Sequence, residues 1–158
     1  KEIKLEDKYL NNGKPYLKNE EIYFNISHSF DYVIVAISND DIGCDIEFND
    51  EIDLNVAKKF FSIVEYNDIL NNIKKRNLFY RYWTLKESFV KATGMGFKLP
   101  LNSFTIHVSD NIFVDQTYDQ NKYYFKELNI IDNYSIALCS LKEINEVDIK
   151  FVDLKTII

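Results

Sequence analysis

Cysteine, glycine and histidine are scarce in this chain, and each shortage closes off a class of protein. Its 158 residues include two cysteines, four glycines and two histidines. Cys44 and Cys139 each sit inside an apolar, strand-like run. They make neither a disulfide framework nor a zinc site, and they read as small buried hydrophobes in a chain that fits a reducing, cytoplasmic compartment. Four glycines leave no Walker loop and no G-x-G-x-x-G fingerprint. No run of about 18 apolar residues is present, so no membrane span is expected, and no signal-peptide pattern is visible. His107 alternates with apolar neighbours, and His28 lies between Ser27 and Ser29, where a phosphate-binding corner is the functional alternative to a structural role. A hydrolase triad has little support. The net charge of -6 argues against a general nucleic-acid binder.

What is present suffices for one folded domain. Hydrophobic residues make up 46% of the chain and aromatics 15%, enough to build a core. Basic residues cluster at Lys58-Lys59 and Lys74-Lys75-Arg76, as solvated helix faces or as a docking patch for an acidic partner. Residues 22–27 alternate as a strand, Tyr32–Ser38 forms a second, and Ile42–Phe48 a third that is expected to pair with the second. Asp53 caps a helix over 54–61. Ser62 and Glu65 form a capping box for a helix ending near Asn72. A longer helix over 76–93 stops at Gly94 and Gly96, and Pro100 prevents its resumption. Alternating runs at 104–108, 122–128, 135–141 and 149–152 complete a mostly antiparallel sheet. Strands, helices and strands in that order give an α+β class.

Two pairs of charged residues stand out. Asp45 and Glu47 occupy alternate positions of the third strand, beside Gly43, with Ile42, Cys44, Ile46 and Phe48 on the opposite face. Like charges on one strand face repel, so a cation or a lysine is the natural partner. A solvated sheet face is the plainer alternative. Glu87 and Lys91 stand four apart on the long helix, a spacing common in surface pairs. Here they continue a stripe that holds Tyr80 and Trp83, and the rest of the helix is largely apolar. If Glu87 approaches Asp45 and Glu47, three carboxylates could hold one Mg²⁺, with phosphate or water in its other positions. Lys91 would then neutralise phosphate charge.

Four blocks carry a family resemblance: Gly13-Lys14-Pro15, then 24–29 (FNISHS), 42–47 (IGCDIE) and 83–91 (WTLKESFVK). With Ala57-Lys58-Lys59-Phe60-Phe61-Ser62, Glu65-Tyr66 and Leu99-Pro100-Leu101, they resemble the Sfp-type 4'-phosphopantetheinyl transferases. The resemblance implies transfer of the phosphopantetheine arm of coenzyme A to a serine of an apo acyl or peptidyl carrier protein, releasing adenosine 3',5'-bisphosphate. It implies Mg²⁺, with Mn²⁺ as an alternative, on Asp45, Glu47 and Glu87. It also implies coenzyme A contacts from Lys14, Ser27, His28, Asp45 and Lys91. Glu87, Glu65 and Lys91 would take the catalytic roles, with Glu65 helping to deprotonate the serine. The carrier would dock near Lys58, Lys59 and Phe61.

The family has two similar α/β halves related by a pseudo-twofold axis. Here residues 1–40 match only the end of the first half, and residues 41–158 match the second, with its mostly antiparallel sheet and long helix. Two rivals stand beside this reading: a Mg²⁺-dependent nuclease or phosphodiesterase using the same acids, and an inactive module that only binds carrier protein.

Overall fold

The computed structural model describes residues 22–153 and 155, together with the backbone of two short paired strands, β1 (Lys8–Tyr9) and β2 (Pro15–Tyr16). Lys14, implied above as a coenzyme A contact, lies outside the described residues. β3 (Tyr23–Ser29) and β4 (Tyr32–Ser38) form an antiparallel hairpin. β5 (Ile42–Phe48) follows, then α1 (Leu54–Phe60), α2 (Ile63–Asn71) and α3 (Lys75–Thr93). After two single 3-10 turns come β6 (Thr105–Val108), β7 (Ile112–Asp115), β8 (Tyr124–Glu127) and β9 (Tyr134–Ser140). The α+β class stands. No helix among the described residues is long and apolar enough to cross a membrane.

The expected pairing of the second and third strands is not what forms. β5 pairs antiparallel with β9, Asp45 opposite Ala137, and β9 pairs with β8. The other edge of β5 is taken by side chains of β3. Asn25 Oδ1 accepts from the Cys44 N–H at 2.9 Å, Ser27 Oγ from Ile46 at 3.4 Å, and Ser29 Oγ from Phe48 at 3.0 Å. Polar residues at every second position of β3 thus satisfy every second N–H of β5, so that edge needs no backbone partner. The 149–152 run is not a strand, and its apolar members Ile149, Phe151 and Val152 are exposed. The expectation missed β7, four residues that hairpin with β6 across a Ser109-Asp110-Asn111 turn.

The helix boundaries follow local chemistry. Asp53 accepts from the Asn55 N–H at the start of α1, and Ser62 with Glu65 closes a capping box on α2. α3 ends where Gly94 adopts φ 68°, a left-handed conformation that costs glycine nothing. Seven apolar residues of α3, from Leu78 to Ala92, are buried in the core with Phe104, Ile106, Tyr123, Ala137 and Cys139. Phe89 sits edge-on to Phe104 and Tyr123, each ring 4.8 Å away.

Gly43 sets how closely α3 approaches the sheet. A Cβ there would run into the Ser88 carbonyl oxygen and the Ala92 nitrogen, both backbone atoms of α3. Neither can rotate away, so the helix itself would have to move. Gly43→Ala is expected to cost about 3 kcal/mol, read as a lower urea midpoint at unchanged slope.

Candidate active site

Of the odd positions of β5, Gly43 and Asp45 are buried and Glu47 is half-buried. Gly43 meets α3, and Asp45 is only 3% exposed. Lys91, in the last turn of α3, donates to Asp45 Oδ1 at 2.6 Å, to Ser27 Oγ at 3.0 Å and to the Cys44 carbonyl at 3.1 Å. Ser27 Oγ also donates to Asp45 Oδ1 at 2.8 Å, and Ser29 Oγ donates to Glu47 Oε2 at 2.9 Å. The β3 hydroxyls therefore face two ways. They accept from the β5 backbone and orient the two acids of the same strand.

Electrostatics tie Glu87 to this cluster. Burial pushes the Asp45 carboxyl up to about 7, although Lys91 pulls it down and Glu47 adds a smaller upward push. Glu87 is also raised, first by burial, against a lowering by Lys91, with Glu47 raising it further. Asp45, Glu47, Glu87 and Lys91 thus share one electrostatic neighbourhood. The two strand acids are not a solvated pair.

A cavity of about 780 Å³ opens beside them. Glu87 and Lys91 line it at one side. Its apolar lining includes Phe60, Trp83, Val90, Phe97, Leu99 and Leu101, and Lys59 lines it as well. The sole tryptophan and the charged pair of α3 therefore look into the same space, because they share one helical stripe.

The carboxylate oxygens of Asp45, Glu47 and Glu87 are donors of the type a hard divalent cation takes. Asp45 Oδ2 is buried and has no hydrogen-bond partner, an expensive state for a carboxylate oxygen. Among the described residues no group of three His, Cys, Asp or Glu side chains is gathered closely enough to hold a metal ion by itself. Magnesium seldom needs such a group, since it keeps waters and commonly binds one or two carboxylates plus substrate phosphates. Lys91 supplies the counter-charge to Asp45 in this state.

The remaining predicted residues are placed elsewhere. Glu65 is fully buried, and its Oε1 accepts from Lys86 Nζ at 2.7 Å and from the Ile106 N–H at 2.6 Å. Its Oε2 accepts from the Ser62 N–H at 2.8 Å. Phe61 is 3% exposed and packs against Phe79, Tyr82 and Trp83. It cannot meet a partner without leaving the core, and Phe60 is the neighbour that reaches the cavity. Lys58 and Lys59 are exposed. Ser27 is buried, whereas His28 is exposed, because alternation along β3 turns it away from Asp45. Asn25 and Lys86 escaped the sequence reading, and Ser29 entered it only as part of the phosphate-binding corner at His28. The signal for the first was the polar alternation Asn-x-Ser-x-Ser within an otherwise apolar strand.

Residues 41–139 match the 4'-phosphopantetheinyl transferase superfamily. The chain is 38% identical over 133 residues to 4'-phosphopantetheinyl transferase Sfp of Bacillus subtilis, covering 81% of this chain and 59% of that protein. It is 39% identical over 134 residues to 4'-phosphopantetheinyl transferase gsp of Aneurinibacillus migulanus, covering 82% of this chain and 55% of that protein. It therefore spans less than two thirds of these relatives' length. Among solved structures, the holo-[acyl-carrier-protein] synthase of Thermotoga maritima shares the fold with a TM-score of 0.56 at 20% identity, over 65% of this chain and 62% of that one.

Proposed function

This chain belongs to the 4'-phosphopantetheinyl transferase superfamily, among its Sfp-type members, and from that premise we propose that it serves transfer of the phosphopantetheine arm of coenzyme A to a carrier-protein serine. The serine Oγ forms a new bond to the phosphorus that bears the arm. The bridging P–O bond of the pyrophosphate breaks, and its electron pair leaves on adenosine 3',5'-bisphosphate. The serine proton passes to a carboxylate, directly or through water. The observation that carries the reading is the placement of Glu87 and Lys91 on the wall of an apolar cavity, next to the buried Asp45.

Each residue then has a task. Asp45, Glu47 and Glu87 would hold Mg²⁺, or Mn²⁺ in its place. When bound, the cation supplies charge neutralisation at the pyrophosphate. Lys91 would exchange part of its contact with Asp45 for the phosphate oxygens and steady the charge on the leaving bisphosphate. Ser27 and Ser29 hold the strand acids in orientation. Proton acceptance falls to Glu87 rather than Glu65, because Glu65 has both oxygens engaged inside the core. His28, exposed on the outer face of the hairpin, and Lys14 are assigned to the nucleotide end of coenzyme A. Residues 41–158 form the half that carries the acids. The hairpin before them belongs to the same site, since Ser27 and Ser29 reach into it.

The direct test is the intact mass of an apo carrier protein incubated with this chain, coenzyme A and Mg²⁺. A gain of one phosphopantetheine on the acceptor serine is expected. No gain from folded protein would remove the transferase reading from this chain.

A further inference from the structure

The turn after α3, which contributes to the cavity lining, carries a side chain that the site chemistry leaves without a task. Phe97 is fully exposed, while the other aromatic residues of the cavity, Phe60 and Trp83, are half-buried. It rides on a single 3-10 turn, Gly96–Lys98, directly after α3. That turn is fixed rather than loose. Gly94 and Gly96 both take positive φ, at 68° and 55°, and Lys98 N–H donates to the Met95 carbonyl at 3.2 Å while Leu99 N–H donates to that of Gly96 at 3.1 Å. An ordered aromatic ring held wholly in water, at the rim of an apolar cavity, forgoes the burial that a partner would supply.

The rim around it carries positive charge. Lys59 lines the same cavity, Lys98 follows Phe97 in the turn, and Lys58, Lys59 and Lys98 are all exposed. Lys59 and Phe60 are also coupled directly, the ammonium standing 5.1 Å from the ring centre. An apolar centre flanked by lysines complements a helix with an apolar face edged by acidic residues. A helix of that kind docking here would deliver a side chain to Glu87 and Lys91, which open into the same cavity.

We propose that Phe97 is the apolar anchor for the acceptor protein: it packs against the acidic amphipathic helix that presents the serine, and Lys59 and Lys98 set that helix's orientation. The inference rests on the transferase reading and names the surface that reading requires. Anchors of this type concentrate binding energy in one aromatic residue ringed by weaker polar contacts.

The test uses the whole chain, an apo carrier protein and coenzyme A, with titration calorimetry for binding and mass analysis for transfer. Phe97→Ala should weaken carrier affinity about thirtyfold and raise the carrier KM to match, with the coenzyme A KM within about twofold. Phe97→Leu should restore most of the affinity. Lys98→Glu should weaken binding in a salt-dependent way. Because Phe97 is outside the core, the urea midpoint should not move. Unchanged carrier affinity in Phe97→Ala overturns the proposal. So does a loss that falls on coenzyme A instead, which would make Phe97 a cover for the small substrate. Wild-type chain that transfers the arm but is indifferent to Phe97→Ala removes this inference alone. Wild-type chain that neither binds nor modifies the carrier removes the transferase reading with it.

Discussion

Glu87→Gln is expected to lower the rate of arm transfer by about two to three orders of magnitude, with global stability unchanged to about 0.5 kcal/mol. The substitution keeps the shape, removes the charge and turns one acceptor oxygen into an amide donor. Glu87 lines the cavity, half-buried, where desolvation already holds its carboxyl above the usual range and Lys91 opposes that shift. Neutralising it removes one of three negative charges that would hold a divalent cation, together with the proposed proton acceptor. The rate loss should therefore come with a higher Mg²⁺ requirement, read by titrating the ion at saturating coenzyme A. Asp45→Ala should also abolish transfer, but less cleanly. Asp45 Oδ1 accepts from both Lys91 and Ser27, so its loss frees the lysine and unsettles β3 as well. Full turnover in either variant would show that the cation, and with it the pyrophosphate, is held elsewhere.

Local rules made much of this architecture readable in the sequence. Asp53, Ser62 with Glu65, and Gly94 mark helix ends through bonds to residues two to four positions away, and all three mark them here. The stripe Tyr80, Trp83, Glu87, Lys91 was legible because helical periodicity fixes which side chains share a side. Strand partnership was not. Whether β5 pairs with β4 or β9 depends on contacts nearly a hundred residues apart in the second case, and alternation within each strand is the same for both. The deciding feature was chemical: Asn25, Ser27 and Ser29 take over the β5 N–H groups, so β9 is left as the backbone partner on the other edge. The face of Asp45 followed from the same event. A strand pattern says that Asp45 and Glu47 lie together, not that a helix lysine and a serine ladder will cover them. Phe60 and Phe61 show the limit most sharply. Adjacent and chemically alike, they divide between cavity and core because Phe60 ends α1 while Phe61, its C-cap, leaves the helix in an extended conformation.

Lys86→Met should cost about 3–5 kcal/mol of stability, more than any other single change to the charged residues of this fold. Lys86 and Glu65 form an ion pair in which both side chains are 0% exposed. Its Nζ also donates to the Phe104 carbonyl at 2.8 Å and stands 4.1 Å from the centre of the Phe104 ring. Through Glu65 the pair reaches the first turn of α2 and the start of β6. One ion pair thus ties α2, α3 and the β6 hairpin together one residue away from Glu87. Burial pushes the Lys86 ammonium down to about 8, and Glu65 draws it back up, so its charge depends on that carboxylate. Methionine fills much of the same volume but leaves Glu65 as a buried anion with no counter-charge. Adding Glu65→Gln should therefore recover part of the loss, because the amide oxygen can still accept from one of the two backbone N–H groups while no charge remains to be compensated. The same variant separates the two roles assigned to Glu65. As a brace, Glu65→Gln lowers the melting temperature and retains transfer when assayed well below it. As the base that deprotonates the serine, it would lose transfer in a protein that remains folded, and the family resemblance would then have placed the proton correctly where the packing does not.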